Sequence, residues 1–331
     1  MFNVLWLQSG GCGGCSMSLL NAESPDVMTC FKSTDINLLW HPSLSEASSD
    51  EFIALLADIL NGNIHLHALC LEGSVMTGPN GTGLFHVLGG TRKPMMSWLS
   101  ELAEKADYTL AIGSCAAFGG ITAAGNNPSD ACGLQYDNAI LGGLLGAQWR
   151  SIKGFPVINV AGCPTHPDWV TNVLMQLALD DLQLSELDEL NRPRAYTNQL
   201  VHHGCSRNEY YEYKASAEVL GDIGCMMEHK GCLGTQARAD CNIRPWNGSG
   251  SCLKGGYPCI NCTAPEFEQP RLNFTETPKI AGIPVGLPTD MPKAWFVALA
   301  SLSKAATPKR IRQNATAKHI ISPPGKPKDM K

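Results

Sequence analysis

The stretch FNVLWLQSGGCGGCSMSLL, residues 2–20, decides how the chain is read. A largely apolar run, FNVLWLQ (2–8), passes straight into a glycine-rich loop that carries Cys12 and Cys15. Short apolar runs bounded by turn residues read as buried strands. Further runs of this kind are INLLWH (36–41), HLHALCLEG (65–73), YTLAIGS (108–114) and FPVINVAG (155–162). Between them lie helix-like stretches: SDEFIALLADILNG from 49, PMMSWLSELAEKA from 94 and HPDWVTNVLMQLAL from 166. The alternation predicts an α/β domain with a parallel sheet covered on both faces. Five strands suit a flavodoxin-like arrangement, in which ligands gather beyond the carboxyl ends of the strands.

The chain has 331 residues, a net charge of -5, 44% apolar residues and only 17% charged ones. Its length suggests about two domains. So few charges suit either a well-packed enzyme or a chain that gives much of its surface to a partner. Residues 304–331 hold eight Lys/Arg against one Asp, which reads as a solvated tail or as a docking arm for an acidic partner. The tail has no interleaved aromatics and the rest of the chain is acidic, so nucleic acid is not an expected partner. Residues 1–20 show no secretory or twin-arginine signal, and no apolar run of about 18 residues is present to anchor the chain in a membrane. The expected compartment is the cytoplasm. There, cysteine clusters hold metal or do redox work more often than they form disulfides.

Three segments are expected: a flavodoxin-like domain at 1–190, an irregular cysteine-rich domain at 191–274 with little regular secondary structure, and a C-terminal segment at 275–331. Residues 202–262 hold seven cysteines among many glycines. Such a segment builds little core from side chains, and bound metal would pin it. PKAWFVALASLSKAA (292–306) reads as a short amphipathic helix.

Placed on the expected sheet, Cys12 and Cys15 follow the first strand, Cys115 (AIGSCAAFGG) the fourth and Cys163 (VAGCPTHP) the fifth. All four thiols then lie at one carboxyl edge, which is what a cubane iron–sulfur cluster requires. Zinc on the same four thiols, and a thioredoxin-type Cys12/Cys15 pair, are the competing expectations. A second four-point set is His202, Cys205, Cys225 and Cys232, with His203 as rival for the imidazole position. A third is Cys241, Cys252, Cys259 and Cys262, which lie within about 22 residues, close enough to ligate one cubane. Cys30, Cys70 and Cys132 remain, and read as small buried hydrophobes. Glu72 ends the third strand, where it would brace the first cysteine loop or stand behind its cluster. GPNGTG (78–83) lacks the Lys-Ser/Thr end of a phosphate loop and reads as a turn.

These motifs, from CGGC through GSCAAFGG, GCPTHP, HHGC and GCLG to YPCINC, resemble the small, electron-transferring subunit of nickel–iron hydrogenases. The resemblance implies a proximal cluster on Cys12, Cys15, Cys115 and Cys163. It implies a distal one on His202, Cys205, Cys225 and Cys232, and a medial one on Cys241, Cys252, Cys259 and Cys262. Many family members carry proline and a three-iron medial cluster where Cys252 stands, so three 4Fe-4S clusters are expected here. Gly14 and Gly120 match positions where oxygen-tolerant relatives add cysteines. The resemblance further implies a large-subunit partner that bears the nickel–iron centre, in a heterodimer or a dimer of heterodimers. NVLWLQSGGCGGCSMSLL, NEYYEYKASAE and TPKIAGIPVGLPTDMPKAWFVALASLSK are similar to the cytoplasmic hydrogen-sensing hydrogenases, which signal to a histidine protein kinase. On that resemblance the C-terminal segment would contact the kinase. A cytoplasmic uptake hydrogenase feeding an electron carrier and a zinc-stabilised binding module are the alternatives.

Overall fold

The computed structural model describes residues 1–269, 274–280, 282–287 and 292–324. The chain divides into two compact units, residues 1–197 with 262–269, and residues 198–261 with 270–331.

In the first unit, β1 (Phe2–Gln8), β2 (Ile36–Trp40), β3 (Leu66–Glu72), β4 (Ala106–Ile112) and β5 (Ile158–Val160) form one sheet in the order β2-β1-β3-β4-β5. Every pairing is parallel. This is the flavodoxin-like order, with its topological switch between β1 and β3. Residues of β3 and β4 are buried on both faces, which is why their sequences run apolar rather than alternating. Around the sheet lie α1 (Gly14–Leu19), α2 (Val27–Ser33), α3 (Ser49–Leu60), α4 (Met95–Ala103), α5 (Gly113–Phe118) and α6 (Pro167–Ala178). A capping box of Ser48 and Glu51 starts α3, and a proline at its first turn starts α6, both devices that suit backbone N–H groups left without partners. Leu5, Leu7, Leu69 and Leu71 of the sheet pack with Leu56, Ile59, Leu99 and Leu102 of the helices. Cys30, Cys70 and Cys132 are buried. Residues 78–83 form turns, as expected of GPNGTG.

The second unit has little regular structure: α7 (Asn208–Glu212), α8 (Met227–Lys230), a hairpin of Lys279–Ile280 with Ile283–Pro284, α9 (Lys293–Ala305) and α10 (Lys309–Ala315). A small core joins Tyr210 of α7 to Ile311 and Ala315 of α10. The link is reinforced by Gly224 N donating to Ala315 O and Ile223 N donating to Ala317 O, both at 2.9 Å. Arg310 pairs with Glu209. The start of the basic tail is therefore folded, with Ile311 and Ala315 buried and Lys304, Lys309 and Arg312 exposed. Lys326, Lys328 and Lys331 lie outside the described residues, as do parts of the proline-rich run at 281 and 288–291. In α9 only Phe296 is buried, while Trp295, Val297, Leu299 and Leu302 are exposed. No helix among the described residues is long and apolar enough to cross a membrane.

One buried ion pair holds residues 262–269 to the first unit. Arg192 donates from Nε and Nη2 to Asp188 Oδ2 at 2.9 and 2.7 Å, and from Nη1 to Thr263 O at 2.7 Å. Removing one partner of such a pair strands the other charge in a dry site, at a cost of about 3–5 kcal/mol. Arg192→Leu is therefore expected to lower the thermal unfolding midpoint of the purified protein by several degrees. An unchanged midpoint would contradict this role.

Candidate functional site

The loop after β1 is pinned to the loop after β3. Gly10 N donates to Ser74 O at 2.9 Å and Ser74 N to Gly10 O at 2.7 Å. Gly13, at φ +75°, then turns the chain into α1 in a conformation that costs glycine little. Glu72, at the carboxyl end of β3, is 2% exposed. It accepts from Cys15 N at 2.9 Å, Ser16 N at 3.1 Å and Trp6 Nε1 at 3.3 Å, and from the Ser16 hydroxyl. The carboxylate thus satisfies two N–H groups of the first turn of α1 and fixes where the Cys15 side chain leaves the loop. His41 Nδ1 accepts from Ser43 N at 3.1 Å, which leaves its Nε2–H to donate to Ser16 Oγ at 3.2 Å.

Cys115 lies in α5, directly after β4, and Cys163 in the turn after β5. Ser114 ties these pieces together. Its N–H donates to Gly162 O and its Oγ accepts from Gly162 N, both at 2.9 Å, while its hydroxyl donates to Cys262 O. The thiols of the first set lie close enough to act on one another electrostatically: Cys115 and Cys163 on Cys15, Cys12 on Cys115, and Cys115 and Cys12 on Cys163. Burial is the largest effect on each of the buried members. It raises the Cys15 and Cys115 thiols and pushes Cys163 up to about 12. Backbone N–H groups of Thr165, Ile121 and Thr122 point at the Cys15 and Cys115 sulfurs and oppose that shift. Thiols such as Cys15, Cys115 and Cys163, which burial keeps from ionising on their own, are suited to a cationic centre, which would take their protons' place, and Cys12 stands exposed beside them. The surroundings are shaped to the sulfurs. A Cβ on Gly113, at φ +85°, would stand 2.5 Å from Cys15 Sγ, and one on Gly120 would stand 2.9 Å from Cys115 Sγ.

In the second unit, His202, Cys205, Cys225 and Cys232 line one cleft together with Arg207, Tyr211, Met226, Met227 and Leu253. Of the two neighbouring histidines, His202 is the one in the cleft, its ring 4.4 Å from that of Tyr211. His203 Nδ1 accepts from Leu200 N at 3.4 Å instead. Burial pushes Cys205 up to about 11 and Cys225 up to about 12, and raises Cys232. N–H groups of Arg207, Met227, Gly234 and Cys259 point at these sulfurs. His229 lies away from the cleft, 3.9 Å from Glu276.

The third set is shared out along the chain: Cys241, Cys252 and Cys259 belong to the second unit and Cys262 to the first. Cys259 N donates to Cys232 Sγ at 3.3 Å, so Cys259 lies beside the second set. Within the first unit Cys262 acts electrostatically on Cys163.

Sequence reading did not single out Arg207. Its guanidinium is buried, with Nη1 on Gly224 O at 2.7 Å and on Asp222 O, and Nε on Leu253 O at 3.2 Å. Burial lowers its pKa and the thiols of Cys205, Cys225 and Cys232 oppose that, yet a guanidinium keeps its proton in proteins. Its position two residues after Cys205 was the available signal. Ser114 was likewise missed, although it directly precedes Cys115.

A parallel sheet that gathers thiols at its carboxyl edge, followed by a compact cysteine- and histidine-lined cleft, offers the donor sets of metal-binding proteins. Residues 12–177 match the family described as NADH ubiquinone oxidoreductase, 20 Kd subunit, and residues 197–275 match the C-terminal family of the NiFe/NiFeSe hydrogenase small subunit. The F420 non-reducing hydrogenase II small subunit of Methanosarcina mazei is 34% identical, over 80% of this chain and 72% of that one. The periplasmic [NiFeSe] hydrogenase small subunit of Desulfomicrobium baculatum is 31% identical, over 82% and 86%. The structure of the actinobacterial-type NiFe-hydrogenase from Ralstonia eutropha H16 superimposes with a TM-score of 0.74 at 31% identity, over 93% of this chain and 92% of its own. The chain belongs to the small subunits of nickel–iron hydrogenases. Proteins of this family hold iron–sulfur clusters, transfer electrons and pair with a large subunit that holds the nickel–iron site.

The cradle around Cys15 gives a direct test. Gly113→Ala places a methyl group against Cys15 Sγ at a φ that L-residues adopt only at a cost of about 1–2 kcal/mol. Iron bound per purified heterodimer is expected to fall relative to the parent. Full iron content would show that the cradle has no such role.

Proposed function

We propose that this chain conducts electrons through three 4Fe-4S clusters: a proximal one on Cys12, Cys15, Cys115 and Cys163, a medial one on Cys241, Cys252, Cys259 and Cys262, and a distal one on His202, Cys205, Cys225 and Cys232. The proximal cluster belongs to a flavodoxin-like domain at 1–190, the other two to a domain at 191–274. The observation that carries the proposal is the convergence of buried thiols from three separate loops on one sheet edge, with backbone N–H groups aimed at the Cys15 and Cys115 sulfurs. When bound, the clusters supply one-electron sites for the two electrons released as H2 is split into protons on the partner chain. The residues of this chain hold the sulfurs, exclude water through Leu253, Met226 and Met227, and set the charge around each site. Arg207 places a buried cation beside the distal thiols and so favours the more negative, reduced state. Cys252 supplies a fourth thiol where proline would leave a three-iron medial site.

Metal and acid-labile sulfide analysis of the co-purified heterodimer tests the reading. About thirteen iron, of which about twelve are in the clusters, and one nickel are expected, with visible absorption near 400 nm. Stoichiometric zinc in a colourless protein would overturn it, and a strong three-iron EPR signal assigned to the medial site would overturn the role of Cys252. For Arg207→Gln, a unit charge several ångströms away at an effective dielectric near 20 is worth about 2 kcal/mol, or roughly 90 mV for a one-electron couple. The distal midpoint potential is expected to fall by a shift of that order in a redox titration. An unmoved potential would contradict the electrostatic role.

We further propose that the chain serves a cytoplasmic hydrogen sensor whose C-terminal segment, 275–331, contacts a histidine kinase. The similarity of that segment to hydrogen-sensing hydrogenases supports this, as does the exposed apolar row Trp295, Leu299 and Leu302, which share one face of α9. The similar proteins named above are an F420 non-reducing enzyme, a periplasmic one and an actinobacterial-type one, so both compartment and signalling need their own experiments. Truncation after residue 300 would remove Ile311 from the core of the second unit, and point substitution is cleaner. Trp295→Ser with Leu302→Ser is expected to abolish kinase binding while hydrogen oxidation persists. Retained binding, or recovery of the native protein outside the cytoplasm on fractionation, would count against the sensor.

A further inference from the structure

The amino-terminal end of the same sheet carries a group of side chains that the electron path does not use. His65 immediately precedes β3, His67 lies within it, and Asp107 lies in β4. The parallel register Leu66↔Ala106 and Ala68↔Tyr108 sets His67 beside Asp107. His65 Nε2 stands 2.9 Å from Asp107 Oδ2, and the two imidazole centroids are 4.4 Å apart, edge to face. One ligand atom from each of the three residues lies within 4.8 Å of the others. Asp107 is buried while His65 is exposed, so the group has a protein wall on one side and water on the other.

We propose that His65, His67 and Asp107 form a binding site for a divalent first-row cation of the zinc or nickel type, with water completing its coordination. Two imidazoles and one carboxylate, with positions left open, are a donor set that suits these borderline metals better than magnesium or calcium. The supporting shell is in place. Asn3 Nδ2 donates to His65 O at 2.8 Å, and Asn37 Nδ2 donates to Asn3 Oδ1 at 2.9 Å. Asn3 N donates to His67 Nδ1 at 3.0 Å. Ligation by His67 exchanges that hydrogen bond for the metal, so His65 and Asp107 are the first pair of ligands and His67 the third. Two cations stand near His67, Lys153 and the chain's amino terminus. Each already faces a carboxylate of its own: Lys153 Nζ is 4.0 Å from Asp180, and the terminal amine is 2.6 Å from Asp35. The site lies at the opposite end of β3 from Glu72, about 17 Å away along a strand rising 3.3 Å per residue. Its occupancy is therefore independent of the cysteine sets, and metal there would clamp β3 to β4 at their solvent end.

The test uses the cluster-loaded heterodimer and Zn2+ alone, so that the cysteine sites are already filled. Calorimetric titration and zinc analysis after desalting are run on the parent, His65→Ala and His67→Ala, with thermal melting as a second readout. The parent is expected to bind one Zn2+ more per heterodimer than His65→Ala and to melt at higher temperature with Zn2+. Each substitution is expected to weaken binding at least tenfold and abolish the shift in melting, with hydrogen oxidation unchanged. Equal zinc uptake by the parent and both variants, or no uptake by the parent, would overturn the proposal.

Discussion

Because β1, β3, β4 and β5 run the same way, their exit loops all emerge at one edge of the sheet, and the first unit depends on that constraint. Cys12, Cys15, Cys115 and Cys163 are up to 151 positions apart in the chain, yet they share that edge because the strands that deliver them are neighbours. Glu72 completes the arrangement. It arrives from β3, between β1 and β4, and spends its acceptors on the N–H groups of the very turn that presents Cys15. An antiparallel sheet would send alternate loops to opposite ends and scatter the thiols.

Electrostatics then says what the assembled thiols need. Burying an anion without a partner is costly, and the upward shifts of Cys15, Cys163, Cys205 and Cys225 express that cost. Iron would offset it by binding thiolate, and the N–H groups aimed at the sulfurs add partial positive charge without added side-chain volume. The second unit takes this further. Its side-chain core at α7 and α10 is small, so ligation at the cysteine sites is expected to contribute to folding as well as to redox chemistry.

The strand sequences disclosed the sheet because each is a short apolar run closed by turn residues, and α3, α4 and α6 disclosed themselves by apolar periodicity. α1 and α5 stayed hidden. Each is six residues of mainly glycine, serine, cysteine and alanine, too short and too small for a helical stripe to show. The cysteine sets could be grouped from strand order and spacing, because ligand chemistry restricts the choices. The choice of His202 over His203 needed coordinates, since adjacent residues share one spacing. The return of residues 262–269 to the first unit rests on Arg192 reaching Thr263 across 71 positions, and the pairing of His67 with Asp107 on strand register. Long-range contacts of this kind leave no local signature. The basic tail was read from charge alone, and Ile311, the residue that folds it, is a single apolar side chain among cations.

The wire-like function rests on where iron sits relative to these sulfurs. Anomalous diffraction from crystals of the heterodimer, collected on both sides of the iron absorption edge, measures that directly. The account predicts strong iron peaks within bonding distance of Sγ in each of the three cysteine sets, with His202 beside the distal one. Peaks that appear at the zinc edge instead, or thiols joined as disulfides with no iron between them, would contradict it.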